Sequence, residues 1–358
     1  VRRRSDRLLD GADYTAAGTT LLVIATLTRV AHVLAPDAAL AAAAGLMLLI
    51  AAGIRMTPPE WRRGPILGFT VGGGLVALAA SLTAIRGGAA ALTTPGGLWQ
   101  GDLDAWPITG ALDAWQVPVA LVLLAASAAI ALPRPWAYDA AGGLVALATV
   151  GAPAALGLPW WSPILVGLTV ATVYALTSVI AADPRAALTR ATVAVSIGLH
   201  AVGTSMVRPW ATAVALGTVA VVAMLVAILA RISAALPDDS TDEPAVGAVD
   251  PVPPHLALIG GVATTVALLS LPGAVAAIAA GLDRPAGTVL TAALAASSLG
   301  LPVLAVTRRQ MPHYLPYGTV GIAGGATVVA VAALFLDMAA GVYAAAAVLL
   351  GVLAELFR

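Results

Sequence analysis

Long apolar runs separated by short polar segments recur along the whole chain of 358 residues. A helix needs about 20 mainly apolar residues to cross a bilayer, and about twelve runs approach that length. The runs are 15–35, 38–54, 64–85, 114–132, 139–158, 162–182, 188–207, 210–232, 256–280, 286–306, 318–336 and 338–357. The pattern predicts an all-α fold, a polytopic transmembrane helix bundle with about twelve spans.

One of these runs carries a polar side chain at every fourth residue. The members of this polar stripe are Thr192, Ser196, His200 and Thr204. A four-residue step advances about 400° around a helix, so the stripe lies on one slowly drifting face. Since lipid does not tolerate such a face, we expect a protein or water neighbour and a substrate-binding role. The alternative is structural: the hydroxyls bond to carbonyls of their own helix, and His200 donates to a neighbouring helix.

The arginines predict how the chain is threaded through the bilayer. Cytoplasmic loops carry the excess of positive charge. If the N-terminus is cytoplasmic, the predicted spans leave the following arginines inside: Arg2, Arg3, Arg4, Arg7, Arg55, Arg62, Arg63, Arg134, Arg185, Arg190, Arg231, Arg308, Arg309 and Arg358. The arginines that fall outside are Arg86, Arg208 and Arg284. This imbalance predicts that both termini are cytoplasmic.

Composition narrows the class further. Charged residues make up 10% of the chain, against about 25% in soluble domains. Arginine supplies all 18 basic residues, which together with the alanine excess indicates a high-G+C bacterium and hence a bacterial plasma membrane. Acids and bases balance, so a nucleic-acid partner is not expected. Cysteine is absent, and no cofactor is expected; the expected partner is the lipid bilayer, with a small-molecule or lipid ligand.

A segment rich in acids and prolines divides the chain. Residues 236–255 hold five acids, five prolines and no arginine. Low hydrophobicity with many prolines is typical of a disordered linker, here on the cytoplasmic side. It separates residues 1–235, with about eight spans, from residues 256–358, with about four. The alternative is a regulatory docking segment.

A cationic pair lies near the outer end of the first run. Arg29 and His32 are three residues apart and therefore share a helix face. They could form an anion or proton site that binds substrate near the outer surface. In the alternative, Arg29 extends to the headgroups and His32 bonds to a neighbouring helix.

The predicted outer loop 86–113 contains the one carboxylate pair that suggests catalysis. Asp102 and Asp104 form a D-x-D motif that could hold a divalent metal and a lipid-linked phosphosugar. The motif resembles that of membrane glycosyltransferases that use polyprenyl-phosphate sugars, although in that family it follows the first span and here it follows the third. We expect the loop to lie on the outer surface, with tryptophans such as Trp99 in the headgroups.

Glycines and prolines interrupt several of the apolar runs. The pairs Gly68/Gly72 and Gly321/Gly325 are four residues apart, a spacing that lets helices approach closely. A true internal duplication is the alternative. Prolines lie inside three runs, where they kink helices or line binding sites; they are Pro153, Pro272 and Pro302.

The overall pattern favours three functions. Residues 151–163, GAPAALGLPWWSP, with the Ala/Val/Leu-rich spans and arginine-only loops, resemble uncharacterised polytopic membrane proteins of actinobacteria. This resemblance implies an integral membrane protein and gives no residue a role. We expect a permease for a small or lipid-like solute. The alternatives are a non-catalytic scaffold or subunit of an envelope complex, and a polyprenyl-phosphate-sugar-dependent glycosyltransferase.

The arginine distribution yields a direct test of topology. A reporter fused at Ser240 is expected to lie in the cytoplasm, and one fused at Gly97 outside, because alternation places their loops on opposite faces. Paired enzymatic reporters that are active on only one side of the membrane measure this. If both positions report the same side, the predicted threading is wrong.

Overall fold

In the computed structural model, the described residues are 10–92, 98–101, 103, 114–134, 136–235, 253–308, 312–336 and 338–356. Within these ranges every regular element is helical, as the sequence predicts. The α-helices are α1 (Gly11–Leu34), α2 (Ala39–Met56), α3 (Arg63–Leu92), α4 (Gln116–Ala131), α5 (Trp136–Ala155), α6 (Ser162–Val179), α7 (Pro184–Ser205), α8 (Pro209–Ala235), α9 (Pro254–Gly281), α10 (Ala286–Ser298), α11 (Gly300–Thr307), α12 (Leu315–Phe335) and α13 (Ala340–Leu356).

Many of these helices are suited to a membrane. Nine helical segments among the described residues are long and apolar enough to cross one, with α10 and α11 counted together. This confirms the all-helical fold, and the apolar helices are consistent with an integral membrane protein. α4 and α13 are apolar but shorter, at 16 and 17 residues. α5 is not among the nine, and it carries Asp139 in its first turn. Twelve spans therefore stays a prediction.

The chain forms two compact units. The first comprises residues up to 94 and 104–163, with α1 to α5; the second comprises residues 95–103 and 164–358, with nearly all of α6 and the helices that follow. Residues 236–252 of the predicted linker lie outside the described residues. The division of the chain at that linker stays a prediction.

Glycines bring α1 and α3 together in the first unit. A Cβ atom added to Gly68 would lie 2.9 Å from Thr20 Cβ, and one added to Gly72 would lie 2.9 Å from Ile24 Cδ1. Gly64, one turn earlier, faces Ala16 in the same way. The expected close packing at this glycine spacing is confirmed.

The second glycine pair, Gly321 and Gly325, likewise allows close packing between α12 and α9. A Cβ atom on Gly321 would lie 2.9 Å from Leu268 Cβ, and one on Gly325 would lie 3.0 Å from Pro272 Cγ. Pro272 itself lies inside the continuous helix α9. Here a proline ring fills the space beside a glycine, so Pro272 serves helix packing.

The other two prolines differ in their effect. Pro153 lies near the end of α5, within the helix. The run 286–306, by contrast, is interrupted at Leu299, where α10 ends and α11 begins. Pro302 lacks the N–H that would bond to the carbonyl of Ser298, which favours a break at this point.

A buried glutamine from α4 caps the start of α2. The side-chain Oε1 of Gln116 accepts hydrogen bonds from the N–H groups of Leu40 (2.8 Å) and Ala41 (3.4 Å). Its Nε2 donates to the carbonyl of Asp37 at 2.6 Å. The N-cap residue of α2, Ala38, has no side-chain bond of its own. Gln116 thus satisfies backbone groups that a helix start leaves unpaired.

The loop predicted at 86–113 differs from expectation in its described parts. α3 continues to Leu92, because Gly88 and Ala91 are buried in the helix and extend its packing face. Trp99 Nε1 donates to Thr212 Oγ1 at 3.1 Å. The N–H of Trp99 therefore has a protein partner within the second unit, and the expected position of this tryptophan in the headgroups stays a prediction.

The glycine contacts predict a large difference between two neighbouring substitutions. Gly68→Ala should destabilise the protein by about 1–3 kcal/mol, because the added methyl forces α1 and α3 apart. Gly74→Ala is the matched control: a Cβ there meets nothing within 4 Å, so stability should hold or rise by up to about 1 kcal/mol. Thermal unfolding of the detergent-purified variants measures both. Equal melting temperatures for the two variants would contradict the packing described.

Candidate functional site

Four helices of the second unit, α6 to α9, enclose a groove of about 500 Å³. This volume lies within the range of about 300–1,000 Å³ found for small-molecule sites. The described residues that line the groove carry no charged side chain. Its polar groups are hydroxyls, those of Thr172, Ser178, Thr192, Ser196, Thr218 and Ser270. The remaining lining residues are aliphatic side chains and one glycine.

The groove is open along one side. Leu199 of α7 lines it and is 69% exposed, and Leu258 and Leu269 of α9 line it and are also exposed. Because α7 and α9 both qualify as membrane spans, these exposed leucines lie on faces suited to hydrocarbon. An apolar molecule could therefore enter the groove sideways from the bilayer.

The floor of the groove is formed by small and branched apolar residues. Val226 of α8 and Ile259 and Ala263 of α9 line the groove and belong to a buried cluster that joins the two helices. Alanines such as Ala227 and Ala267 extend this cluster. Short side chains let α8 and α9 approach closely, and this leaves space beside α6 and α7.

The hydroxyls in the groove are engaged with their own helices. Thr192 Oγ1 donates to Leu188 O at 2.9 Å, and Ser196 Oγ donates to Thr192 O at 2.9 Å. Ser270 Oγ donates to Val266 O at 2.8 Å in the same manner. The hydroxyls thus bond to carbonyls of their own helix, as expected if these polar residues are structural. These oxygens keep lone pairs that can accept a hydrogen bond from a ligand.

Only the first two members of the polar stripe line the groove. Thr192 and Ser196 line the groove, whereas His200 is half-buried and Thr204 is buried, and neither lines it. Thr204 Oγ1 donates to Ala201 O at 3.0 Å. Each four-residue step rotates the stripe by about 40°, which carries its later members away from the groove. The assignment of the whole stripe to substrate binding stays a prediction.

The other predicted site residues lie elsewhere. Arg29 and His32 are exposed on α1, in the first unit. The preceding Thr28 has a buried hydroxyl without a hydrogen-bond partner in the described part of the chain. Asp102 and Asp104 lie outside the described residues. No cluster of potential metal ligands occurs among the residues described.

Sequence reasoning missed two contributors to this region. The aliphatic residues of α6, α8 and α9 that line the groove have the composition of lipid-facing residues, so no sequence signal separates them. Arg190, interpreted as a topology marker, donates from Nη1 to Thr177 O at 2.9 Å. A signal did exist for Arg190: it falls inside the predicted run 188–207, whereas Arg185 precedes that run.

The groove suits one kind of chemistry. It can pack an apolar chain and offer a few hydroxyl acceptors to it, and the lining residues contain no group that titrates or binds a metal. No protein-family model, curated protein or solved structure matches this chain. The groove is therefore the feature from which a function can be inferred.

The position of His200 outside the groove lining predicts that its substitution changes stability and leaves ligand binding intact. His200→Leu should lower stability by roughly 0.6 kcal/mol and at most by about 2, the range for a polar contact between membrane helices. Ligand binding per folded molecule should persist, because His200 does not line the groove. Thr204→Val is the control for the loss of a polar group that bonds within its own helix and does not line the groove. Unchanged melting of His200→Leu combined with lost binding would contradict this expectation.

Proposed function

We propose that the protein transports a lipid-like solute and holds one apolar chain of that solute in the groove between α6, α7, α8 and α9. The observation that carries the proposal is the groove itself, about 500 Å³ in volume and without charged lining residues. Its open side supports a ligand that arrives from the bilayer. Small polar solutes are disfavoured, because the hydroxyl donors of Thr192 and Ser196 are already used.

The modest affinity expected for an apolar chain in the groove supports transport. An apolar chain gains no hydrophobic free energy when it moves from lipid into the groove, because lipid tails are equally apolar. Its affinity must come from van der Waals contacts, each worth about 0.1–0.2 kcal/mol. The apolar chain of the ligand is therefore held by shape complementarity and is released without a large free-energy barrier. Such modest binding suits a carrier better than a permanent lipid site.

A second feature of the same unit supports transport. The helical segment from Ala286 to Ala305 qualifies as a membrane span, yet it is interrupted at Leu299. Discontinuous helices are typical of transporters, where the interruption supplies backbone groups or permits movement. Ser298 Oγ at this break donates to Ala295 O at 2.7 Å.

The alternative of a non-catalytic scaffold leads to a different expectation. A scaffold would leave the groove filled by bilayer lipid, and blocking it would change no flux. No observation among the described residues favours the glycosyltransferase.

Filling the groove tests the proposal. Val195 lines the groove and is 42% exposed, so Val195→Trp should occupy the space without displacing the helix core. Ten or more lost contacts at about 0.1–0.2 kcal/mol each correspond to about a tenfold loss of lipid binding. Native mass spectrometry of the purified protein measures bound lipid. Movement of fluorescent lipid between the leaflets of proteoliposomes measures transport.

The matched control is an exposed valine on a neighbouring helix. Val221 of α8 is 61% exposed and does not line the groove, so Val221→Trp should behave as the wild type. Equal melting temperatures verify that both variants are folded. Wild-type lipid binding and transport by the folded Val195→Trp variant would refute the proposal.

A further inference from the structure

Arg190 is adjacent in sequence to residues of α7 that line the groove. The hydrogen bond from Arg190 Nη1 to Thr177 O joins α7 to α6. The next residue in each helix, Ala191 and Ser178, lines the groove. Arg190 and Thr177 thus each precede a lining residue by one position in sequence, and neither lines the groove itself.

The charge of Arg190 is not neutralised by a carboxylate among the described residues. Arg190 is half-buried. A guanidinium has five N–H donors, and the bond to Thr177 O occupies one of them. The acid in the adjoining turn, Asp183, accepts from the backbone N–H of Arg185 and caps α7. A half-buried cation at a membrane boundary is stabilised by an anion that accepts its remaining donors.

The depth of Arg190 matches a headgroup. The arginine distribution predicts that the turn between α6 and α7 is cytoplasmic, and Arg190 lies six residues into α7. This is about 9 Å along the helix at 1.5 Å per residue. A ligand with a polar group near Arg190 could extend its chain past Ala191 and Val195 into the apolar part of the groove.

We infer that the groove takes an amphiphile whose phosphate binds Arg190 and whose chain lies between α6 and α9. This inference rests on the proposed function and names the class of solute. Arginine suits the role because its planar fork matches phosphate oxygens in a bidentate geometry. Glycerophospholipids and polyprenyl phosphates share this chemistry.

Paired ligands that differ only in the phosphate test the inference. Phosphatidic acid is compared with diacylglycerol, and a polyprenyl phosphate with the matching polyprenol, by native mass spectrometry of the full chain in micelles. The wild type should bind the phosphate form about ten- to hundredfold more tightly, as expected for charge-assisted hydrogen bonds. The pair with the larger preference identifies the source of the phosphate. A wild-type preference below about twofold in both pairs would overturn the inference.

Variants assign the preference to Arg190. Arg190→Gln should bind the phosphate and alcohol forms equally, and Arg185→Gln, which removes an exposed charge on the same helix, should keep the wild-type preference. Melting temperatures establish whether each variant is folded. If Arg190→Gln does not fold, the preference of the wild type for the phosphate form over the alcohol form decides the inference. A folded Arg190→Gln with an unchanged preference would overturn it. Val195→Trp should lose binding of both the phosphate and the alcohol forms, and this loss would show separately that the groove holds the apolar chain of the ligand.

Discussion

Hydrocarbon offers no hydrogen bonds, and this constraint governs how polar groups are placed in the structure. Thr70 Oγ1 donates to Ile66 O at 2.7 Å, and Ser127 Oγ donates to Leu123 O at 2.7 Å. The same bonding to a carbonyl of the same helix recurs throughout the described helices. It allows hydroxyls to lie on faces that meet lipid or the groove. Helix association then depends on close packing, which the glycines of α3 and α12 provide.

The elements of the fold were predictable from sequence because each depends on local composition. Apolar length specifies a membrane helix, and the spacing of Gly68 and Gly72 indicates a packing face. Which helix packs on that face is not local information, and the sequence did not identify α1 as the partner. The extension of α3 to Leu92 was missed because Arg86 suggested a loop.

The candidate site was predictable only where a polar residue marked it. Thr192 and Ser196 stand out in an apolar run, and both line the groove. Most of the lining is aliphatic and comes from four helices, and the same residues would serve equally well facing lipid. Arg190 was visible as a charge, but its bond to Thr177 depends on the pairing of α6 with α7.

The cap on α2 has a consequence for the order of synthesis. The N–H of Leu40 donates its hydrogen bond to Gln116, a residue 76 positions further along the chain. At about 5–20 residues per second, a ribosome needs roughly 4–15 s to make that stretch. During this interval the side chain of Gln116 does not yet exist to accept hydrogen bonds from the N–H groups in the first turn of α2. The native start of α2 is therefore completed after synthesis reaches α4, whatever the order in which the two helices enter the membrane.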